Sequence, residues 1–226
     1  MAEHRCKDCP MKSPAARHLN EQQLDTLENN SALVYFKKGE LIFKEDALSL
    51  NISYLRTGIA KLHMRGPVGD KILRIVKAPA YLGIPTSFGD KVNQFSATAL
   101  VDTSVCFIDI QHFRNFIYQN GHFAYEIIVE LCKNELFDYK RATSQSQKQV
   151  PGILAETLLC FSDKIYEADQ FIFPLTRGEI GDMVGTSRES ISRAMSDLVN
   201  EGVIEFHTKE IKIKDKDRLR QISDKG

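Results

Sequence analysis

Residues 175–203, LTRGEIGDMVGTSRESISRAMSDLVNEGV, decide how this sequence is interpreted because their pattern is typical of two short helices joined by a tight turn. Residues 176–184 predict the first helix, and Gly185 supplies the conformational freedom that the turn requires. A second helix follows at once. We expect Thr186 to cap it and Glu189, three residues later, to complete a capping box. The stretch therefore predicts a helix-turn-helix.

The second helix is expected to separate apolar from polar side chains. Its inward face carries Ile191, Ala194, Met195 and Leu198, which recur at helical spacing. Its outward face carries Arg188, Glu189, Ser192 and Arg193. Arginine donates two hydrogen bonds to guanine, glutamate accepts one from cytosine, and the first turns of a recognition helix reach into the major groove. This face predicts base readout, although any exposed helical hairpin also carries charged side chains outside.

A β-ribbon is predicted after the second helix. Residues 203–206 and 211–214 alternate apolar and polar side chains on either side of the polar segment 207–210. A helix-turn-helix followed by such a ribbon is a winged helix, for which double-stranded DNA is the expected partner. The candidate DNA-binding residues are Arg177, Thr186, Ser187, Arg188, Glu189, Ser192, Arg193 and Lys209.

The length allows one large or two modest domains, and the composition favours a cytoplasmic protein. The 226 residues are 42% hydrophobic, and basic and acidic side chains are equal in number at 30 each. Because no net positive charge attracts DNA, phosphate contacts must come from local basic clusters. No apolar run approaches the roughly 20 residues that cross a bilayer, and the first residues lack the apolar core of a signal peptide. We therefore expect no membrane partner.

The first half of the chain is expected to be rich in strands. Between residues 33 and 110, short strand-like segments alternate with glycine-containing turns, a pattern typical of a jelly roll. Residues 19–29 predict a short helix in front of it. The predicted fold class is α+β, with a jelly roll and a cysteine-containing arm at 1–120, a long helix at 121–150, and a winged helix-turn-helix at 151–226.

The long helix carries an apolar stripe. Residues 111–149 predict helix, interrupted near Gly121, and Pro151 and Gly152 are expected to end it and form a hinge. The stripe includes Ala124, Ile127, Ile128 and Leu131. Such a stripe forms the seam of a parallel homodimer or packs the helix on its own barrel, and spacing does not distinguish the two. A dimer would set two recognition helices one turn of DNA apart, as a palindromic operator requires.

Several segments resemble the Crp/Fnr family of bacterial transcription regulators. The family's recognition-helix pattern R-E-x-x-x-R is present as Arg188, Glu189 and Arg193, and its pattern E-x-x-S-R as Glu189, Ser192 and Arg193. In the barrel, FKKGELIFKE, YLRTGIAKL and YLG are similar to the family's sensory domain. The resemblance implies a homodimeric regulator that binds a palindrome with a TGA-type core and contacts RNA polymerase. We expect its signal to be a redox state or a gas.

Family members that bind cyclic nucleotides hold the ribose with a glutamate and the cyclic phosphate with an arginine. The corresponding segments here read GIP at 83–85 and FSA at 95–97, so both charged groups are missing. A buried phosphate without its arginine would remain an unpaired anion. We therefore expect an effector pocket that does not bind cyclic AMP, formed by Gly83, Ile84, Phe95 and Ser96.

The chain has five cysteines, an odd number that favours reduced, metal-bound or redox-active thiols over a disulfide framework. Three match positions that hold an iron–sulfur cluster in oxygen-sensing members of the family: Cys6, Cys9 and Cys106. Thiolates suit such clusters, and also zinc, because soft sulfur ligands favour these metals. The fourth position falls at Ala15, and only Asp8 or His18 lies nearby as a substitute.

Two other interpretations of the sensory residues stay open. Cys106 would be an ordinary core thiol, with Cys6 and Cys9 an exposed remnant. Haem is the second candidate cofactor, because some sensors of the family bind it, and His63 or His122 would then be a ligand.

Two other classes of function fit the sequence less well. A metal enzyme on the jelly roll, of the cupin type, would need two closely spaced histidines and a carboxylate, and the barrel offers only His63. A nucleotide-binding module that regulates a kinase or channel would need that attached domain and the two missing charges. We therefore expect no enzyme activity.

Overall fold

Eight strands in two sheets form the first half of the chain. The computed structural model describes residues 6–67, 69–89 and 91–226. The strands are β1 Ser31–Phe36, β2 Leu41–Phe43, β3 Asn51–Thr57, β4 Ile59–Gly66, β5 Gly69–Lys77, β6 Ala80–Leu82, β7 Ser96–Ala99 and β8 Thr103–Asp109. One sheet has the order β1-β8-β3-β6 and the other β2-β7-β4-β5. The predicted jelly roll is thereby confirmed.

Helices flank the sheets, and polar side chains cap the first turn of several of them. A 3₁₀ turn, Ala15–His18, is followed by α1 Glu21–Asn29, α2 Ile84–Phe88, α3 Ile110–Gln119 and α4 Gly121–Gln147. Asn20 and Gln23 form a capping box on α1, and the carboxylate of Asp109 accepts two backbone N–H groups of α3. The Asn120 side chain caps α4 in the same way, so the predicted interruption near Gly121 is present.

Two hydrophobic cores lie on opposite faces of the β1-β8-β3-β6 sheet. Alternation along β8 shows this, because Val105 belongs to the core between the two sheets while Cys106 belongs to the core under the helices. The second core is closed by Phe113 and Phe123, which are 0% and 1% exposed and pack edge to face. The N-terminal arm thereby gains an apolar surface on which to pack.

The second half of the chain is a winged helix. Its elements are α5 Val150–Cys160, a π-helical turn Phe161–Tyr166, β9 Gln170–Ile172, α6 Arg177–Val184, α7 Arg188–Asn200, β10 Ile204–His207, β11 Glu210–Ile213 and α8 Lys216–Lys225. The three strands form a sheet of order β10-β11-β9. The winged helix was predicted, whereas the third strand β9 and the terminal helix α8 were not.

The expected hinge at Pro151 and Gly152 is wrong. Both residues lie in the first turn of α5, where proline is well tolerated, and α4 ends earlier, at Gln147. Gly152 is so close to Gly226 that a Cβ atom on it would lie 2.7 Å from the Gly226 Cα. The glycine therefore permits close packing between α5 and the end of α8.

The chain forms two compact units. Among the residues that the structure describes, the first unit falls within 1–67 and 73–136, and the second within 68–72 and 137–226. The division falls within α4, which contributes residues to both. Within the described ranges, no helix has the length and apolar content that crossing a bilayer requires.

Candidate DNA-binding surface and thiol-lined cavity

The turn of the helix-turn-helix corrects the expected capping residue. Ser187, not Thr186, caps α7, because its Oγ accepts the N–H of Ser190 at 3.1 Å. The backbone N–H of Thr186 instead donates to the carbonyl of Gly181 at 3.0 Å and so closes the end of α6. The capping box in this region belongs to α6, between Thr176 and Glu179.

The two faces of α7 have the predicted character. Its inward residues Ile191, Ala194, Met195 and Leu198 are all buried. Arg188, Glu189 and Arg193 are exposed, and Ser192 is half-buried beside them. The apolar face therefore fixes the helix on its domain, while three charged side chains project from the first two turns.

Arg177 lies beside α7, and Lys209 lies in the turn of the β-ribbon. The Arg177 guanidinium donates to the Ser192 hydroxyl at 3.5 Å and lies 5.4 Å from the centre of the Phe206 ring on β10. Arg177 is thus held between α7 and β10, a role for Phe206 that the sequence did not reveal. Lys209 is exposed in the turn between β10 and β11. With the half-buried Thr186 and exposed Ser187, these residues form one candidate surface.

A small cavity in the first unit brings the three candidate metal-binding cysteines together. Its volume is about 40 Å³, and its lining includes Cys6, Cys9 and Cys106. Tyr54, Tyr81 and Arg56 also line it. Cys6 and Cys106 are 5% and 7% exposed, whereas Cys9 is partly exposed. The alternative of an exposed N-terminal remnant therefore does not describe Cys6.

Hydrogen bonds hold the N-terminal arm over the cavity. The Cys6 N–H donates to the Glu28 carboxylate at 2.7 Å, and the Tyr54 hydroxyl donates to the Met11 carbonyl at 2.7 Å. The Ser13 and Tyr81 hydroxyls are also 2.7 Å apart. The arm is thus attached to α1, β3 and β6, which places its CxxC segment opposite Cys106 on β8.

Burial keeps the two enclosed thiols protonated at neutral pH. It raises the pKa of Cys6 to about 11, and the nearby Glu28 carboxylate raises it further. Burial also raises the pKa of Cys106 to about 12, and the Arg56 guanidinium opposes that rise. Below these values the thiol form predominates, so a cation that needs thiolates must displace protons to bind.

Other sequence-predicted ligands lie elsewhere. Ala15 is 2% exposed and has no donor atom, and neither Asp8 nor His18 lines the cavity. The His18 ring stacks on His122 at 5.5 Å, while the His63 ring hydrogen-bonds Thr98 on β7. In the part of the chain that the structure describes, no three His, Cys, Asp or Glu side chains are arranged to hold a metal ion.

Helix α4 has two opposite apolar faces. Phe123 and Ile127 are buried in the core of the first unit, and Leu131 packs against the same core. The Glu130 carboxylate on this face accepts the Tyr81 N–H at 3.1 Å. The other face carries a stripe at intervals of three or four residues, the exposed side chains Tyr125, Ile128, Cys132, Leu136 and Tyr139.

This geometry corrects part of the expected dimer seam. Ile127 is 3% exposed in the core of its own barrel and so is not available to a seam, while Leu131 is partly buried against the same core. Ile128 is 57% exposed and Ala124 is half-buried. The seam prediction therefore moves to the exposed stripe that contains Ile128.

Both halves of the chain match known domain families. Residues 33–120 match the cyclic nucleotide-binding domain, and residues 154–222 match the Crp-like helix-turn-helix domain. The transcriptional activator protein FnrA of Stutzerimonas stutzeri is 24% identical over 216 residues, which cover 93% of this chain and 88% of that protein. The chain belongs to the Crp/Fnr family.

The similarity to this family extends to several branches. A CRP-like cAMP-activated global transcriptional regulator of Mycobacterium tuberculosis is 24% identical, with 82% of this chain and 85% of that protein covered. The solved structure of FixK2 from Bradyrhizobium japonicum has the same fold, with a TM-score of 0.77, 20% identity, and coverage of 85% of this chain and 96% of that one. This Crp/Fnr protein is therefore a transcription regulator with a helix-turn-helix DNA-binding domain, and similarity alone does not identify its signal.

Ile84 and Phe95, which stand where charged side chains are expected in nucleotide-binding relatives, pack in two different cores of this Crp/Fnr protein. Ile84 is 5% exposed and belongs to the core under the helices. Phe95 packs on Phe43 with the ring centres 5.9 Å apart, while the neighbouring Ser96 hydroxyl accepts the Glu45 N–H. Gly83 has a φ of 74° at the start of α2, a conformation that favours glycine. The residues at these positions therefore serve the packing and the backbone geometry of the barrel.

Gly181 provides a direct test of the helix-turn-helix geometry. A Cβ atom there would lie 2.6 Å from the Thr186 carbonyl oxygen, whereas a Cβ on Gly178 in the same helix would have its nearest neighbour at 3.9 Å. Gly181→Ala should therefore lower the urea midpoint of the DNA-binding unit and weaken operator binding, because the turn must shift. Gly178→Ala is the matched control and should change either quantity little. Equal behaviour of the two variants would contradict the close packing of the turn.

Proposed function

We propose that this Crp/Fnr regulator binds a palindromic DNA operator as a homodimer, with α7 of each protomer as the recognition helix. The observation that carries the proposal is the exposed face of α7, where Arg188, Glu189 and Arg193 stand together on a helix fixed by its buried face. These side chains provide both donors and acceptors for base edges in the major groove. The two-fold symmetry of a dimer matches that of a palindrome.

Different residues of the surface have different tasks in this proposal. Glu189 accepts a hydrogen bond from a cytosine, and Arg193 donates to a guanine of a TGA-type half-site. Arg188 and Ser192 complete the contacts of this face. Arg177, Thr186, Ser187 and Lys209 bind phosphates and set the position of α7 in the groove. The proposal rests on their arrangement around α7 and on the resemblance to the family.

Replacing Arg193 tests base readout. Arg193→Ala should weaken binding by about 1–3 kcal/mol per half-site, because a bidentate contact to guanine is lost. Changing that guanine in the operator should then weaken binding by the variant little further. Lys209→Ala is the control, and it should weaken cognate and scrambled DNA alike. Fluorescence anisotropy with both DNAs measures the effects, and equal losses for Arg193→Ala on both would contradict base readout.

The dimer is proposed to form along the exposed stripe of α4. Tyr125, Ile128, Leu136 and Tyr139 are each more than half exposed in one protomer. Covering this apolar surface with the same stripe of a second copy removes it from water, which is the main driving force for helix pairing. The opposite face of α4 is already used by its own barrel, so the two tasks do not compete.

A charge in the stripe tests the seam. Ile128→Glu should convert the dimer to monomers in sedimentation velocity, because a carboxylate buried between two helices has no partner. Lys133→Glu, on an exposed residue outside the stripe, should leave the dimer intact. Mild oxidation should also cross-link two protomers through Cys132, and Cys132→Ser should abolish this product. If Ile128→Glu remains dimeric and the unaltered protein does not cross-link through Cys132, the seam lies elsewhere.

The remaining partners follow from the role as a regulator. We propose that RNA polymerase is contacted by the DNA-bound dimer, as the family resemblance implies, and that the protein acts in the cytoplasm, where both partners are found. Regulation by DNA binding requires no catalytic step, so the proposal includes no enzyme activity.

We propose that the signal is a ligand that binds in the cavity lined by Cys6, Cys9 and Cys106. An iron–sulfur cluster held by four cysteines does not fit the donors present, because Ala15 has no ligand atom and its methyl group is buried. Haem has less support, since His63 hydrogen-bonds Thr98 and His122 stacks on His18. The apolar contacts of Ile84 and Phe95 argue against cyclic AMP. A ligand that takes three sulfurs agrees best with the cavity.

A further inference from the structure

We propose that the cavity binds one trivalent metalloid, such as arsenic(III), through the three sulfurs of Cys6, Cys9 and Cys106. The three thiols come from two distant parts of the chain, the N-terminal arm and β8, and line one cavity. Trivalent arsenic forms three bonds and carries a lone pair in the fourth direction. Its bonding requirement thus equals the number of donors, with no need for a fourth ligand at Ala15.

The size of the cavity agrees with a single bound atom. Its volume of about 40 Å³ corresponds to about three water molecules. One arsenic atom bonded to three lining sulfurs fits within that space. A cluster of four irons and four sulfides has eight core atoms and would require a much larger opening of the arm.

Charge also favours a trivalent metalloid over a divalent cation. At neutral pH arsenic(III) is present as the uncharged hydroxide As(OH)₃, and it reacts with protonated thiols: As(OH)₃ + 3 RSH → As(SR)₃ + 3 H₂O. Each As–O bond is replaced by an As–S bond, each thiol proton leaves in a water molecule, and no electrons are transferred. A divalent cation on the same three sulfurs would instead release three protons to solvent and leave a net negative charge in the cavity.

Binding would tighten the arm over the barrel. The described side chains are not arranged around an ion in advance, so the sulfurs must move together when the bonds form. Cys9 is partly exposed and is the accessible first contact, while Cys6 and Cys106 are buried behind it. A hydrogen-bond route then leads outward, because Ser13 on the arm contacts the Tyr81 hydroxyl and the Tyr81 N–H donates to Glu130 on α4. An effect of this tightening on DNA binding would rest on the proposed function, whereas the arsenic site itself does not.

The test uses the reduced full-length protein and sodium arsenite as the probe. After gel filtration, elemental analysis should give one arsenic per protomer, and X-ray absorption of the folded protein should show three sulfur neighbours around it. Cys6→Ser, Cys9→Ser and Cys106→Ser should each lower the affinity at least tenfold. Cys132→Ser and Cys160→Ser are the matched controls and should bind as the unaltered chain does. Far-ultraviolet circular dichroism of each variant separates loss of binding from loss of folding.

The pH dependence distinguishes a metalloid from a cation. Arsenite affinity should change little between about pH 6 and pH 8, because neutral reactants give a neutral product, whereas cadmium affinity should rise about tenfold per pH unit for each proton displaced. Unchanged affinity in folded Cys106→Ser would overturn the proposal, since the two arm thiols would then suffice. Reconstitution of a stable cluster with four irons per protomer on these cysteines would also overturn it. DNA binding by untreated protein is measured separately, so a failure of the regulator function is recognised independently.

Discussion

The structure depends on a single helix, α4, which has two apolar faces to remove from water. On one side of α4, Phe123 and Ile127 complete the core of the first unit. On the other, Ile128 and its stripe remain exposed in one protomer. Exposing such a face to water is unfavourable, and in the proposed dimer the same face of a second copy covers it. The proposed dimer would therefore follow from the way α4 closes the core of the barrel.

The cavity lined by the three cysteines is connected to α4 through the core that this helix closes. Alternation along β8 turns Cys106 towards the core under the helices, where the N-terminal arm also packs. Tyr81 is the link, since its hydroxyl contacts Ser13 on the arm and its backbone contacts Glu130 on α4. A ligand on the thiols would thus act on a core of which α4 is one wall. Such a device needs only a difference in affinity between two arrangements of the arm.

Local patterns predicted the fold well, while contacts between distant segments could not be predicted. The alternation of strands and the spacing of Ile191 and Leu198 gave the jelly roll and the recognition helix, because both depend on short-range periodicity. The capping residue was misplaced by one position, since Thr186 is already engaged by the end of α6. The seam at Ile127 was wrong because a stripe does not reveal which of its sides meets the barrel. The convergence of three cysteines required the resemblance to the family, as their spacing alone fixes no cavity.

Selection of binding sites from a random library of DNA duplexes tests the central claim most directly. The full-length protein, at a concentration where it is dimeric, is incubated with the library, and bound sequences are amplified and sequenced. The account predicts an inverted repeat whose half-site centres are about one helical turn apart, 10–10.5 base pairs, with a TGA-type core in each half. Enrichment of a single asymmetric site, or of no sequence above the starting library, would contradict a dimeric base-reading regulator.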